Sequence, residues 1–289
     1  MTSDRLPGWL VGALLGGTFV TLVLLEWCWP LRRSVERKLR RDVRNLAIAT
    51  LSAGAVQVTE MPVVLPLSAW VEESRWGLVK WVALPMWLEV AVAVLLLDYT
   101  LYLWHILLHK VPLLWRCHQP HHADLDLDTS TALRFHFAEL VASVPWRVGQ
   151  LVLIGVSPLA LSVWQTATLL EVMFHHSNVR LPIGVERWLS RLLVTPRMHG
   201  IHHSTVPAEQ NSNWSSGLTL WDWLHGTLRL NVPQQEVTIG VAAYQDPNDV
   251  TLPRVLAMPF GKQRQSDHLP GDGVPTRMPA PVPPQRLLA

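Results

Sequence analysis

Eleven histidines fall between residues 105 and 203: His105, His109, His118, His121, His122, His136, His175, His176, His199, His202 and His203. Three groups share a helical spacing: His105-x-x-x-His109, His118-x-x-His121-His122 and His199-x-x-His202-His203. On a helix, residues three and four apart share a face, so each group presents imidazoles in a common direction. Imidazole is the commonest side-chain metal ligand. Three such groups can surround two metal ions.

The pattern excludes several familiar centres. Neither His-Glu-x-x-His nor His-x-x-Glu-His occurs, so no zinc-protease motif is present. Bis-histidine haem would leave most of these residues unexplained. The Glu-x-x-His signature of soluble di-iron bundles is missing too. With only Cys28 and Cys117, sulfur cannot dominate a site or build a disulfide framework. An all-imidazole dinuclear site remains. Neutral imidazoles leave the charge of two divalent ions uncancelled, which suits dioxygen or oxide, and iron is the usual metal for such chemistry. His225 and His268 stand apart and read as ordinary solvated or packed residues.

These groups need a rigid frame. The chain has 289 residues, 49% hydrophobic and only 16% charged, which points to a bilayer. Its net charge of +2 comes with no basic stripe suited to nucleic acid. Leu10 to Trp29 is apolar and long enough to span, and with no small-residue cleavage site it reads as a retained anchor. The basic loop after it, Arg32 to Arg44, would be cytoplasmic by the positive-inside rule. Leu46 to Val71 reads as a returning helix kinked around Glu60, Pro62 and Pro66. Trp81 to Trp104 runs inward and carries His105 and His109 on its continuation.

Asp98 stands seven residues before His105 inside that span. A carboxylate there needs a partner. A bond to a ligand histidine and a pairing with another helix are both open. Phe137 to Phe174 is too long for one span and suits a hairpin turning at Gly155, Ser157 and Pro158. Residues 181–193 suit an amphipathic surface helix. Thr195-Pro196 is a helix start signal ahead of the last histidine group, although Gly200 weakens that helix.

The expected fold is all-α: an integral membrane helical bundle of about five segments with a cytoplasmic histidine-rich cap. Its parts would be membrane helices and a basic loop (1–80), a catalytic domain (81–230), a cytoplasmic extension (231–261) and a disordered Pro-rich tail (262–289).

At the level of motifs the chain resembles the fatty acid hydroxylase/sterol desaturase superfamily of membrane di-iron enzymes. The matching stretches are Asp98-Tyr-x-x-Tyr-x-x-His105-x-x-x-His109, Trp115-Arg-x-His118-x-x-His121-His122, Ala132-Leu-Arg-Phe-His136, His176-Ser-Asn178-Val-Arg-Leu-Pro, Thr195-Pro-x-x-His199-x-x-His202-His203-Ser, and Trp221-Asp222 followed by Gly226-Thr227. The resemblance implies two irons held by His105, His109, His118, His121, His122, His176, His199, His202 and His203. His136 matches a position found in bacterial members, and His175, beside His176, is a further candidate ligand. Glu139 and Glu171 are candidate carboxylates supporting the ligands. Phe137, Ser215 and His225 depart from the family pattern.

The implied activity is hydroxylation or desaturation of a lipid-like or sterol-like C–H bond with dioxygen. Electrons would come from a separate donor such as a ferredoxin, cytochrome b5 or reductase. A pterin-dependent ether-lipid monooxygenase is one alternative. A non-catalytic membrane metal or haem carrier is another.

Overall fold

The computed structural model describes residues 5–269 and 273–276. Among them the regular structure is helical, with three isolated β-bridges and no strand. In order the helices are α1 (Gly8–Cys28), α2 (Lys38–Thr59), α3 (Met61–Ser74), α4 (Met86–Lys110), α5 (Pro112–His122), α6 (Phe137–Gln150), α7 (Pro158–His176), α8 (Ile183–Leu189), α9 (Pro196–His202), α10 (Pro207–Gln210), α11 (Leu220–Leu224) and α12 (Leu252–Ala257).

Helices α1 and α4 are long and apolar enough to cross a membrane, as is α6 with the π-helical turn after it. The pair α2–α3, bent by 49°, makes a fourth span if counted together. The bend falls at Glu60, where the sequence places it; Pro62 sits in the first turn of α3, whose chain accommodates Pro66 without breaking. The fifth expected segment, α7, is not among the candidate spans. Gln165, Thr166, Thr168, Glu171, His175 and His176 lower its hydropathy. It nonetheless completes the expected hairpin with α6, turning through Leu151–Gly155, with Ser157 Oγ capping Ala160 N at 3.1 Å. At that turn Gly77 (φ 104°, ψ 167°) lies against Gly155 (φ 88°) so closely that a Cβ on either would overlap the other's backbone. Only glycine combines that backbone with that approach.

Alternation of the helices brings the end of α1, the start of α2, the end of α4, the start of α6 and the end of α7 to one pole. Contacts pin them there: Leu31 N donates to Asn178 O at 2.7 Å, and Arg180 N to Trp29 O at 2.8 Å. The opposite pole is apolar, with Val64, Leu97, Leu151, Val156, Leu161 and Trp164 in one core. A second core joins α1 to α7 through Leu22, Val172 and Met173.

The basic stretch Arg32 to Arg44 is not a loop throughout: Arg33, Arg37 and Arg40 are exposed, while Arg41 and Arg44 are helical and buried. Helix α2 begins at Lys38, and Arg41 is 1% exposed. Arg41 pairs with Asp124 at 3.0 Å and with Asp128, and it donates to Thr131 Oγ1 at 3.1 Å. Arg44 reaches Asp124 at 3.1 Å and Glu36 at 2.6 Å. Asn45 bridges Asp124 Oδ2 and, through its carbonyl, the Arg134 guanidinium. Burial alone would raise the Asp124 carboxyl, yet Arg41, Arg134 and Arg44 hold it down at about 2. Glu26, in the first apolar run, is also buried and accepts from Thr129 N and Asn178 N at 2.7 and 2.9 Å. This network fastens α1 and α2 to the loop that follows the second histidine group.

The extension after residue 226 folds back over the cap. Gly240 N donates to His203 O at 2.9 Å, and Ile48, Ala123, Val241, Val250 and Val255 share a core. Ordered contacts continue past Lys262: Arg264 pairs with Asp249 at 2.6 Å and stacks over Tyr244. Most prolines of the expected disordered tail lie outside the described residues.

Candidate metal centre

Nine imidazoles converge at the pole where the helices end. They fall into two groups, His105, His109, His118, His122 and His202 in one and His121, His176, His199 and His203 in the other. Within each group one possible ligand atom per residue lies within 4.8 Å of every other.

Helical geometry explains the division. In α5, His118 and His122 are one turn apart and enter the first group, while His121 points across to the second. In α9 the roles reverse: His199 and His203 serve the second group, and His202 crosses to the first. Successive helical residues differ by about 100°, so adjacent histidines face different centres. The common direction expected of each triplet therefore holds for the residues four apart and not for the middle histidine. Both doublets bridge the groups, and the His122 and His203 rings stack at 4.2 Å with 11° between planes.

The lone pairs fit a pair of metal ions. His105 Nδ1 donates to Trp214 O at 2.7 Å, His202 Nδ1 to Ser212 O at 2.8 Å, and His176 Nδ1 to Val172 O at 2.8 Å. Each bond fixes the tautomer and leaves Nε2 as the lone-pair nitrogen. In the second group His199 Nε2 lies 3.0 Å from His176 Nε2 and 3.1 Å from His203 Nε2, and His121 Nε2 is 3.0 Å from His176 Nε2. With Nδ1 of His176 already donating, its Nε2 has no proton to share with two neighbours at once. A cation accounts for that convergence of acceptors. Buried His202 Nε2, His109 Nε2 and both nitrogens of His122 likewise have no hydrogen-bond partner. Burial, followed by neighbouring imidazoles, pushes His121, His122, His199 and His203 well below the usual histidine range, and His202 is lowered to about 3. These rings are neutral near pH 7, the form a metal requires.

The remaining sequence candidates separate. His136 stands apart from both groups: Nδ1 accepts from Ala138 N at 3.0 Å as the cap of α6, and Nε2 faces Leu256 O at 3.2 Å. His175 belongs to neither group, although its ring packs 4.0 Å from that of His199 and both its nitrogens are buried without partners. Glu139 Oε2 lies 3.0 Å from His118 Nδ1 but is not aligned as a hydrogen bond. Glu171 Oε2 is buried and unpartnered. Asp98 does not bond a histidine; it accepts from Trp221 Nε1 at 2.7 Å and Leu218 N at 3.2 Å.

That bond reveals what the downstream motif does. Asp222 accepts from Trp214 N, Ser215 N and Thr227 Oγ1 at 2.9, 3.0 and 2.6 Å. Asn213, at φ 51°, ties Met198 O to the chain at Arg229. Together these residues hold the segment whose carbonyls orient His105 and His202. His225 stacks on Tyr99 and Tyr102 instead of joining the centre.

Arg32 is a positioning residue that sequence reasoning missed. Its Nη2 donates to Pro196 O at 2.6 Å, and the guanidinium lies against Gly200, where a Cβ would overlap it. Gly200 is there to admit Arg32, not to end the helix. Gly200→Ala is expected to push Arg32 off the Pro196 carbonyl and cost about 1–3 kcal/mol, as overpacked sites do. Thermal unfolding in detergent, with metal content measured alongside, checks this.

A cavity of about 250 Å³ opens beside both groups. Its histidines are His105, His118, His121, His175, His176 and His199; Leu101, Leu108, Leu140, Leu169 and Trp164 supply apolar wall, with Arg147 also lining it.

Residues 90–227, just under half of the chain, match the family model described as fatty acid hydroxylase. The chain is 29% identical to the ornithine lipid hydroxylase OlsE of Rhizobium tropici over 260 residues, covering 86% of this chain and 75% of that protein. It is 27% identical to the alkylglycerol monooxygenase of Homo sapiens over 72% of this chain and 46% of the relative. For the cholesterol 25-hydroxylase of Mus musculus the identity is 28%, over 49% of this chain and 47% of the relative. No solved structure gives a significant match.

Proposed function

Because the chain belongs to the fatty acid hydroxylase/sterol desaturase superfamily, we propose that it is a membrane di-iron oxygenase that hydroxylates, or desaturates, a C–H bond of a lipid-like substrate. The observation that carries this reading is one apolar cavity walled by histidines of both groups. His105, His109, His118, His122 and His202 would hold one iron, and His121, His176, His199 and His203 the other. Two irons, when bound, supply the reductive activation of dioxygen that C–H oxidation needs.

The protein's part is positioning and exclusion of water. Trp214 O and Ser212 O lock the rings of His105 and His202. Glu139 Oε2 stands 3.0 Å from His118 Nδ1, on the side of that ring away from its other nitrogen. Leu101, Leu108, Leu140 and Leu169 line the space for an alkyl or ring system. The histidine pole faces the cytoplasm by the charge of the Arg32–Arg44 segment, and electrons arrive from a separate donor.

The test is oxygen uptake by iron-loaded protein with reductant, run against sterol, acyl, ether-lipid and carotenoid substrates. No uptake with any of them removes the proposal, and a Soret band would point to a haem carrier. The alkylglycerol monooxygenase relatives favour one second reading, which turnover dependent on a reduced pterin would select. Leu169→Trp, which fills the cavity, is expected to keep full metal content while turnover falls at least about tenfold. Unchanged turnover would place the substrate elsewhere.

A further inference from the structure

A second concavity, of about 910 Å³, lies where α1 emerges at the histidine pole. It shares no lining residue with the histidine cavity. Its wall is basic: Arg32, Arg33, Lys38 and Arg180. The two carboxylates that also line it are already committed. Glu26 accepts from Thr129, Asn178 and Lys38, and Asp128 from Lys38, Ser130 and Arg41.

The guanidiniums are not. Arg33 and Arg180 are exposed and make no side-chain hydrogen bond or ion pair among the described residues. Arg32 uses Nε and Nη2 on Gln234 Oε1 and Pro196 O, while its Nη1 is buried with no acceptor. A buried charged donor without a partner is costly. An anion with several oxygens suits the two exposed guanidiniums that line the cleft beside it, since guanidinium groups match phosphate in a fork geometry.

The depth of the cleft says which anion. It opens at the end of an apolar span, flanked by Trp27 and Trp29, which are 69% and 60% exposed. Exposed tryptophans at a span's end mark the level of lipid headgroups. We propose that this cleft binds the phosphate of an anionic membrane lipid, held by Arg33 and Arg180 beside Arg32. Arg32 then couples the site to α9, because the same guanidinium holds Pro196 O and packs on Gly200. An occupied cleft braces the helix that carries His199, His202 and His203.

The experiment uses the full chain in neutral detergent, titrated with phosphatidylglycerol, phosphatidylcholine or inorganic phosphate. Native mass spectrometry and thermal unfolding are the readouts. Phosphatidylglycerol is expected to bind at least tenfold tighter than phosphatidylcholine and to raise the melting temperature. Arg33→Gln/Arg180→Gln, which removes two exposed, unpartnered side chains, should lose that preference with metal content unchanged. A charge-matched control, Arg187→Gln/Lys262→Gln, should keep it. Equal binding of the two lipids, or the same loss in both double variants, overturns the proposal. Saturation by inorganic phosphate at the affinity of phosphatidylglycerol overturns the lipid assignment and makes the cleft a free-phosphate site. None of these readouts depends on oxygen chemistry, so the outcome is independent of the proposed activity.

Discussion

His122→Ala and His203→Ala are each expected to strip at least one metal equivalent per chain and to lower turnover on the order of 100-fold or more, the upper range for losing even an outer partner of a metal ligand. The two residues represent opposite groups, yet their rings stack, so each loss also loosens the other centre. His122 shares the first group with His118 one turn earlier, and His203 shares the second with His199 in the same way. His136→Ala is the contrasting case. Its nitrogens face Ala138 N and Leu256 O, so metal should be retained and only the α6 cap lost, at about 1 kcal/mol. Metal analysis of the three purified variants decides the matter. Full metal in either of the first two, or metal loss in the third, would contradict the assignment.

The second large effect is expected at a residue outside the histidine groups. Arg41→Met should destabilise the protein by about 3–5 kcal/mol, the range for removing one partner of a buried ion pair. Asp124 would keep Arg44 and Asp128 would keep Lys38, but both carboxylates would lose the fully buried Arg41 that joins them. The damage should spread to the metal centre, because Asp124 stands two residues after His122. Chemical unfolding in detergent measures the first effect and metal content the second. Arg33→Gln, a neighbouring cation that is exposed, should stay within about 0.5 kcal/mol of the unmutated chain. If the two variants unfold alike, the buried network contributes nothing.

These two cases mark how far the sequence could be read. Histidine spacing identified the stretches that converge because helical periodicity is local: His118, His122, His199 and His203 repeat every turn whatever surrounds them. The start of α9 at Thr195-Pro196, the bend at Glu60 and the hairpin at Gly155 to Pro158 were legible for the same reason. So was the apolar character of α1 and α4. The role of Gly200 was not, since a glycine within a helix looks like a weakness until Arg32 is found beside it.

By itself, then, the sequence marked the histidine stretches, the helices that carry them and the pole where they end, all properties of residues near one another in the chain. Only the tertiary structure decided which histidine serves which group, that His136 caps a helix, and that Asp98 holds Trp221 instead of a ligand. It also placed Arg41 and Arg44, read from the sequence as part of a basic loop, in a buried clamp with Asp124 and Asp128. Those outcomes depend on which distant groups meet, and burial makes each meeting obligatory: a buried charge or donor must find a partner. Local patterns of spacing and hydropathy do not encode which partner that is.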